Sequence, residues 1–268
     1  MAEITLPPEI TDLEDFTESI NMMVYGDAGV GKTVFASKDD RVLIFATEHG
    51  TISAARQYRK TKAKNVVKIV DCVGDWDKFE SMTDWVVEQC EKGTLPFDWV
   101  VIDTGTTLQQ LILKDIVSKA AEKSGSRSLD KPQIEEYGEQ QAKFRRFVEL
   151  YNDLPVNFLM TAHAMQTEDH EGNEYVAPAF HGKGNQMSNW VCAQMHVYGF
   201  MTVGTAISAR TKNEIKVRRI RWQASENIRA KDRFDALGEK TSNKTLKQIR
   251  LMIEESAGVD EDQPATEK

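Results

Sequence analysis

The amino-acid sequence predicts an α/β fold in which helices flank a mostly parallel central sheet. Short apolar runs typical of buried strands alternate along the chain with amphipathic stretches typical of helices. Strands that alternate with helices form βαβ units, and the strands of such units run parallel. The chain has 268 residues, of which 40% are hydrophobic, so it is long enough to bury the core of one large α/β domain.

The individual elements follow from the same periodicities. Six apolar runs bounded by turn-forming residues are predicted to be buried strands, at 20–25, 42–46, 66–70, 99–102, 156–160 and 193–200. Four amphipathic stretches are predicted to be helices, at 51–60, 75–91, 107–122 and 137–151. Asp75 is predicted to cap the second helix and Gly93 to end it. Two long polar segments, 123–136 and 166–189, interrupt the pattern, and loops of that length are usually functional or disordered.

The charge is unevenly distributed along the chain. The net charge of −8 disfavours a surface coated with cations for nucleic acid. However, residues 1–19 carry six acids and no base, 251–268 carry six acids and one base, and 210–250 carry thirteen bases against five acids. A charge run is often only a solvated face, but this segregation also suits subunits that pair head to tail around an interior DNA path. We therefore expect an acidic N-terminal segment (1–19), a core (20–253) and an acidic disordered tail (254–268).

Three features bear on the compartment. No run of eighteen apolar residues occurs, so no membrane span is expected, and the acidic first residues do not resemble a signal peptide. Cys72, Cys90 and Cys192 form no CxxC pair, so neither a disulfide framework nor a zinc knuckle is expected. We expect a protein of the reducing cytoplasm.

A glycine-rich loop follows the first predicted strand. Its sequence GDAGVGKT fits the GxxxxGK[ST] pattern at every fixed position. In this pattern the glycines let backbone N–H groups point at a phosphate, the lysine reaches the β and γ oxygens, and the hydroxyl ligates Mg²⁺. We predict binding of ATP and Mg²⁺ by this P-loop, whose residues are Gly26, Asp27, Ala28, Gly29, Val30, Gly31, Lys32 and Thr33.

Two carboxylates are candidates to complete the site. Asp103 directly follows an apolar strand and is predicted to hold Mg²⁺ together with Thr33, although a strand-ending Asp at a turn is the alternative. Hydrolysis also needs a group that activates water. Thr104 follows Asp103 where many P-loop enzymes carry a glutamate, so we assign this role to Glu48, after the second strand. A capping carboxylate for the next helix fits the spacing of Glu48 equally well.

At these residues the sequence resembles the RecA family, whose members carry the catalytic glutamate after the second strand in an Ala-Glu-His context similar to TEH at 47–49. The resemblance spans roughly residues 20–235 and is strongest to the short RecA-core ATPases of bacteriophages, which act in single-strand annealing or recombination. It is carried by the order of GDAGVGKT, TEHG, DTGTT, YGEQQAKF, TAHA and AKDR. It implies a RecA-like core ending in an antiparallel basic hairpin, located in the host cytoplasm.

The resemblance also implies that the two long polar segments are loops that hold single-stranded DNA. The candidate contacts are Lys123, Arg127 and Lys131 in the first and Phe180 and Lys183 in the second. An aromatic side chain and a few cations suit sequence-tolerant strand binding. The acids Glu168, Asp169, Glu171 and Glu174 make the second segment a poor match for a phosphate backbone.

Three further residues take roles from the resemblance. His163 ends a strand at the position where RecA-like enzymes keep a polar sensor of the γ-phosphate, and a structural histidine is the alternative. Lys231 and Arg233 resemble the Lys-x-Arg element that RecA- and DnaB-like ATPases insert into the neighbouring subunit's nucleotide site. A cation arriving in trans stabilises charge on the transferring γ-phosphate. The alternative is a solvated basic hairpin.

The first functional hypothesis is therefore an ATPase that binds single-stranded DNA as a homo-oligomer, in a ring or filament with nucleotide at the subunit interface, and promotes annealing or recombination. A single-strand-binding protein is an additional candidate partner. Two alternatives stay open: a DnaB-like helicase core, and a nucleotide-switched regulatory or assembly ATPase whose long loops bind protein.

Overall fold

A computed structural model describes residues 19–61, 65–124, 128–207 and 212–256. The acidic residues 1–18 and 257–268 and the candidate Arg127 lie outside these ranges. The strands are β1 Asn21–Tyr25, β2 Arg41–Ala46, β3 Val66–Asp71, β4 Trp99–Asp103, β5 Asn157–Ala162, β6 Ala164–Glu168, β7 Glu174–Pro178, β8 Val197–Ile207, β9 Glu214–Arg221, β10 Lys231–Asp232 and β11 Lys240–Ser242. The helices are α1 Lys32–Ala36, α2 Thr51–Thr61, α3 Trp76–Glu91, α4 Gly105–Ser124, α5 Ile134–Asp153, α6 Gln186–Gln194 and α7 Leu246–Ser256.

The main sheet has the strand order β11-β9-β8-β1-β5-β4-β2-β3. The strands from β8 to β3 are all parallel to their neighbours, whereas β9, β10 and β11 pair antiparallel. β1 thus lies between β5 and β8, and β5 separates it from β4. This order brings the carboxyl ends of β1, β5, β4 and β2 to one edge of the sheet.

Helices cover both faces of the sheet, as the strand residues require. Along β1, Met23 and Tyr25 point into one apolar core and Met22 and Val24 into the other. The first core contains the buried aromatic side chains of α3 and α5, among them Phe79. The second contains residues of α1 and α7. A sheet buried on both faces explains why its strands are continuous apolar runs rather than alternating ones.

The predicted elements agree with the structure for β1 to β5 and α2 to α5, to within a few residues at their ends. Asp75 caps α3 by accepting the N–H of Lys78 at 2.9 Å, and Gly93 follows the helix at a positive φ of 63°. These signals act within one helical turn, which is why a sequence pattern reveals them.

Two predictions about the second half of the chain were wrong. The segment 166–189 is not one long loop, because β6 and β7 form an antiparallel hairpin within it and α6 begins before it ends. The predicted strand 193–200 starts as the end of α6, and β8 begins only at Val197. β9 pairs antiparallel with β8, and the described chain continues past this pair to α7.

Two further expectations concern the state of the cysteines and the presence of membrane-spanning helices. All three cysteines are free thiols, and burial raises the pKa of Cys72 to about 12. None of the helices in the described ranges combines the length and the apolar character that a membrane crossing requires.

Candidate nucleotide-binding site

The candidate site lies where four parallel strands end. The P-loop follows β1, Asp103 is the last residue of β4, His163 comes directly after β5, and Glu48 comes two residues after β2. Ligands of open α/β sheets bind at the carboxyl ends of the strands. The sheet order therefore brings together at one edge residues that are far apart in the sequence, such as Glu48 and His163, which are 115 positions apart.

The P-loop is packed closely on both of its sides. Gly26 donates its N–H to the carbonyl of Ala162 at 3.2 Å on the β5 side. On the β8 side, a Cβ at Gly26 would lie 2.4 Å from the carbonyl oxygen of Met201. Gly29 and Gly31 have positive φ angles of 81° and 104°, a backbone region that favours glycine. Glycine is therefore required at Gly26 because the backbone of β8 approaches it closely, and at Gly29 and Gly31 because their backbone is left-handed.

Lys32 is held inside the loop by backbone carbonyls. It is 6% exposed, and its ammonium donates to the carbonyl oxygens of Gly26 at 2.8 Å and Asp27 at 3.0 Å. Burial lowers the pKa of this amine, while the nearby carboxylates of Glu48, Asp103 and Asp27 act in the opposite direction. These bonds keep the ammonium at the centre of the loop, where phosphate oxygens would replace the carbonyls.

Asp103 is a buried carboxylate held by two hydroxyls. Thr33 Oγ1 donates to one oxygen at 2.7 Å, and Thr161 Oγ1 on β5 donates to the other. Burial raises the pKa of Asp103, and these two hydrogen bonds act against that shift. The peptide bond between Asp103 and Thr104 is cis. Sequence reasoning missed Thr161, since only the neighbouring position of β5 in the sheet identifies it.

The donor set at Asp103 and Thr33 fits Mg²⁺ bound together with a nucleotide. Among the described residues, no group of three or more His, Cys, Asp or Glu side chains could hold a metal ion. Mg²⁺ in proteins usually keeps several waters and takes one or two carboxylates plus substrate phosphates. One carboxylate and one hydroxyl beside a phosphate-binding loop match that requirement.

Glu48 and His163 form a second polar pair at the same edge. Glu48 Oε2 and His163 Nε2 lie 2.8 Å apart, and each side chain is about three-tenths exposed, at 28% and 29%. The backbone N–H of His163 donates to Thr106 Oγ1 at 3.0 Å, which fixes the end of β5 against the start of α4. The alternative role of Glu48 as a cap for α2 has no hydrogen bond that supports it among the described residues.

Threonines tie the two strand ends that carry Glu48 and Asp103. Thr47 Oγ1 donates to the carbonyl of Thr104 at 2.8 Å, accepts its N–H at 2.9 Å and lies 2.6 Å from Thr107 Oγ1. Because Thr47 directly precedes Glu48, this network limits how far the carboxylate can move from Asp103. The TEHG and DTGTT motifs are thus in contact.

Arg218 of β9 closes the P-loop from the side opposite Asp103. Its Nε donates to the carbonyl of Val30 at 3.1 Å, and a Cβ at Gly31 would lie 2.3 Å from the same nitrogen. Among the described residues, no carboxylate pairs with this guanidinium. The basic composition of 210–250 was visible in the sequence, but the contact of Arg218 with the loop depends on the pairing of β9 with β8.

The candidate DNA contacts are spread over the surface, with one exception. Lys123, Lys131 and Lys183 are exposed. Phe180 is 3% exposed and packs against Phe144 of α5, with ring centroids 5.5 Å apart. The prediction that Phe180 stacks on bases was therefore wrong for this conformation, because its ring fills the core instead.

Lys231 and Arg233 lie toward the other end of the sheet. β10 pairs with the start of β8, and the N–H of Arg233 donates to the carbonyl of His196 at 3.2 Å. His196 lies beside Asn21, which is four residues before the end of β1. Arg233 is therefore roughly 13 Å along the strands from its own P-loop. Lys231 donates to the carbonyl of Cys192 at 2.9 Å, whereas Arg233 is exposed and its guanidinium makes no ion pair with the described residues. Only Arg233 is therefore free to reach another molecule.

The fold and the site define a P-loop nucleotide hydrolase domain. The family model AAA_24, described as an AAA domain, matches residues 18–234, which is most of the chain. The protein belongs to this family. No curated protein matched the chain.

Proposed function

We propose that this protein is an Mg²⁺-dependent ATPase that acts on single-stranded DNA as a homo-oligomer and promotes annealing or recombination. The observation that carries the ATPase is the convergence of Lys32, the Thr33–Asp103 pair and the Glu48–His163 pair at one edge of the sheet. A phosphate-binding loop, a magnesium-compatible carboxylate and a second carboxylate near the γ-phosphate position are the parts that hydrolysis of a nucleoside triphosphate needs.

Each residue takes a role from its position. The loop amides and Lys32 bind the β- and γ-phosphates, and Thr33 and Asp103 hold Mg²⁺, which neutralises phosphate charge when bound. Glu48 accepts a proton from the attacking water. The oxygen of this water bonds to the γ-phosphorus as the bond from that phosphorus to the bridging oxygen of ADP breaks. His163 donates to Glu48 and positions it, and a γ-phosphate oxygen can compete for the same N–H. This competition would make His163 sensitive to the γ-phosphate.

The DNA and assembly parts of the proposal rest on exposed cations. Arg233 lies on the surface far from its own P-loop, which supports a role at the nucleotide of another subunit. Lys123, Lys131 and Lys183 are exposed lysines that can neutralise backbone phosphates. The resemblance to phage annealing ATPases supports assigning these cations to single-stranded DNA.

Steady-state ATPase rates with and without a single-stranded oligonucleotide test the proposal, together with annealing and unwinding assays. We expect stimulation by the oligonucleotide, annealing of complementary strands and no unwinding of a forked duplex. Lys183→Ala should reduce the salt dependence of DNA binding by about one phosphate contact, whereas Lys92→Ala, on the exposed end of α3, should not. Absence of DNA binding at low salt refutes the DNA role, and unwinding supports a helicase core instead.

One observation favours the protein-binding alternative. The β6–β7 hairpin ends in an acidic turn, where Asp169 Oδ1 accepts the N–H groups of Glu171 at 2.8 Å and Asn173 at 3.0 Å. The bonds from Asn173 hold the pKa of Asp169 below its usual value, so the turn is anionic. A DNA-facing hairpin should bind DNA more tightly when Glu168, Glu171 and Glu174 are replaced by Gln. No change in DNA affinity would show that the hairpin does not face DNA, as the protein-binding alternative expects.

A further inference from the structure

Three cations lie in a row beside β8, along the segment that runs through β10 toward the amino-terminal edge of the sheet. They are Arg229, Lys231 and Arg233, and we call them the cation row. Side chains two positions apart on an extended segment face the same way. The Cζ of Arg229 lies 4.3 Å from the ring centroid of Tyr175, and the ammonium of Lys231 lies 5.6 Å from that of Tyr198. The row therefore forms one face, backed by aromatic rings.

No carboxylate of the described residues forms an ion pair with the cation row. Asp232 lies within it, but its carboxylate accepts the N–H groups of Phe234 at 3.0 Å and Leu237 at 2.8 Å. Burial and the neighbouring Arg233 lower the pKa of Lys231. Like charges held side by side favour an anion between them. The row is therefore suited to an anionic partner.

The chain itself carries such an anion next to the row. Residues 1–18 contain six acids and no base, and three of these acids fall within 14–18. His196 donates its N–H to the carbonyl of Asn21 at 2.8 Å, and Arg233 donates its N–H to the carbonyl of His196 at 3.2 Å. Arg233 thus lies two strand spacings, or about 10 Å, from the start of β1. Five extended residues span about 16 Å, so the segment 14–18 can reach Arg233.

An open cavity of about 670 Å³ lies where the described chain begins, and Ser19 lines it. The side-chain amides of Asn21 and Asn152 also line it, and their Nδ2 atoms donate to the carbonyls of Asn152 and Gln194, each at 3.2 Å. Their Oδ1 atoms are buried and accept no hydrogen bond from the described residues. Backbone N–H groups of a peptide would supply the donors that these oxygens lack. Asp153 is the one carboxylate that lines the cavity, so acids of such a peptide are favoured beyond it, at the cations.

We propose that the acidic segment 1–18 docks on the cation row of its own subunit and covers Arg233. The short connection through Ser19 gives the segment a high effective concentration at the row. The docked segment competes with a neighbouring subunit for Arg233, because one guanidinium cannot serve both. The docking depends on charge and position alone, whereas the competition rests on the proposed trans role of Arg233.

Limited proteolysis of the full-length protein by a glutamate-specific protease measures the docking. Cleavage after Glu14 is compared with cleavage after Glu171, in the exposed turn of the β6–β7 hairpin, as the internal reference. We expect Arg229→Ala combined with Arg233→Ala to raise this ratio at least about threefold, because surface ion pairs are lost. Arg146→Ala removes an exposed cation of α5 and should leave the ratio unchanged. A double variant with the wild-type ratio overturns the docking.

Protein concentration distinguishes docking on the same subunit from docking on a neighbour. Docking within one subunit gives a cleavage ratio that does not depend on protein concentration. Protection of the segment that grows with protein concentration would instead place the segment on a second copy, and it refutes the proposal for the same subunit.

ATPase assays over a range of protein concentrations test the competition. Glu14→Gln, Asp15→Asn and Glu18→Gln together should lower the concentration for half-maximal activity per subunit at least about threefold. Glu88→Gln with Glu91→Gln, at the exposed end of α3, is the matched control and should not shift it. An unshifted concentration in the triple variant overturns the competition. Absence of ATPase activity in the wild-type protein overturns the proposed function instead, and the cleavage ratio still decides the docking.

Discussion

Glu48 Oε2 and His163 Nε2 lie 2.8 Å apart, although the two residues are 115 positions apart in the chain. Their strands, β2 and β5, are not neighbours, because β4 lies between them. The contact therefore spans the strand that carries Asp103. It joins the proposed water-activating carboxylate to the end of β5, from which the β6–β7 hairpin continues one residue later.

Replacement of Glu48 by Gln should abolish ATP hydrolysis while ATP binding persists. The amide keeps the shape of the side chain but cannot accept a proton from water, and loss of a general base costs about 10²–10⁴-fold in rate. Single-turnover hydrolysis and equilibrium binding of ATP measure the two effects separately. Glu91→Gln, at the exposed end of α3, is the matched control. Hydrolysis at the wild-type rate in Glu48→Gln would show that the base lies elsewhere.

Replacement of His163 by Asn should lower the turnover rate about 10–100-fold with little change in ATP affinity. The shorter side chain cannot span the distance to Glu48 Oε2, so the carboxylate loses its positioning hydrogen bond. Steady-state kinetics that determine kcat and KM separately measure this, and we expect kcat to fall and KM to change little. A loss of affinity with unchanged kcat contradicts a positioning role.

Replacement of Gly31 by Ala should weaken nucleotide binding by about 1–3 kcal/mol. The residue has a φ of 104°, and the added methyl group would lie 2.3 Å from Arg218 Nε, so both the loop and the arginine must move. Gly138→Ala is the control, since no atom lies within 4 Å of its added Cβ in the interior of α5. That control should raise the free energy of unfolding by roughly 0.5–1 kcal/mol. Calorimetric titration with ATP and thermal denaturation measure the two effects.

Arg233→Ala subunits should regain ATPase activity when mixed with Lys32→Ala subunits. The first lack the cation that is proposed to reach a neighbour. The second should lack nucleotide binding but should still supply Arg233 to an intact site. The restored rate should depend on the mixing ratio and peak at intermediate ratios. Lys231→Ala should instead destabilise the subunit itself, because Lys231 bonds to the end of α6 in its own chain. Absence of any restored activity at every ratio contradicts the trans role of Arg233.

Replacement of Asp39 by Asn should lower the free energy of unfolding by about 2–3 kcal/mol at neutral pH. The buried carboxylate accepts bonds from Arg250 Nε at 2.9 Å and Trp99 Nε1 at 2.8 Å, which tie α7 to the core. Asp98→Asn, which breaks a surface pair with Arg41, should cost less than about 1 kcal/mol. Urea denaturation measures both.

The effect of Asp39 should also depend on pH. Burial alone would raise the pKa of this carboxyl, but the bonds from Arg250, Asp40 and Trp99 outweigh burial and hold the pKa below its usual value. A carboxyl with a lowered folded-state pKa stabilises the protein above its unfolded-state pKa of about 3.9, and the contribution is lost as the pH falls through the folded-state value. The difference between wild type and Asp39→Asn should therefore be constant from neutral pH to about pH 5 and shrink below pH 4. A difference that grows on acidification contradicts this assignment.

Local patterns alone were sufficient to predict much of the fold and the centre of the site. The GxxxxGK[ST] spacing, the apolar runs and the Asp75 cap act over a few residues, so β1 to β5, α3 and the position of Lys32 in the loop could be predicted from the sequence. Strand order was not available from such patterns. For that reason Thr161, which holds Asp103, and Arg218, which closes the P-loop, were not identified as site residues.

The sequence by itself determined that this is an α/β protein with a phosphate-binding loop, because both properties depend on short-range periodicity and on glycine positions. The tertiary structure decided which distant residues meet that loop and from which side. It also decided that Phe180 is a core residue rather than a surface one and that Lys231, unlike Arg233, is used within its own chain. The physical reason is that contacts between strands far apart in sequence depend on the order of pairing in the sheet, and side-chain exposure depends on what packs over it.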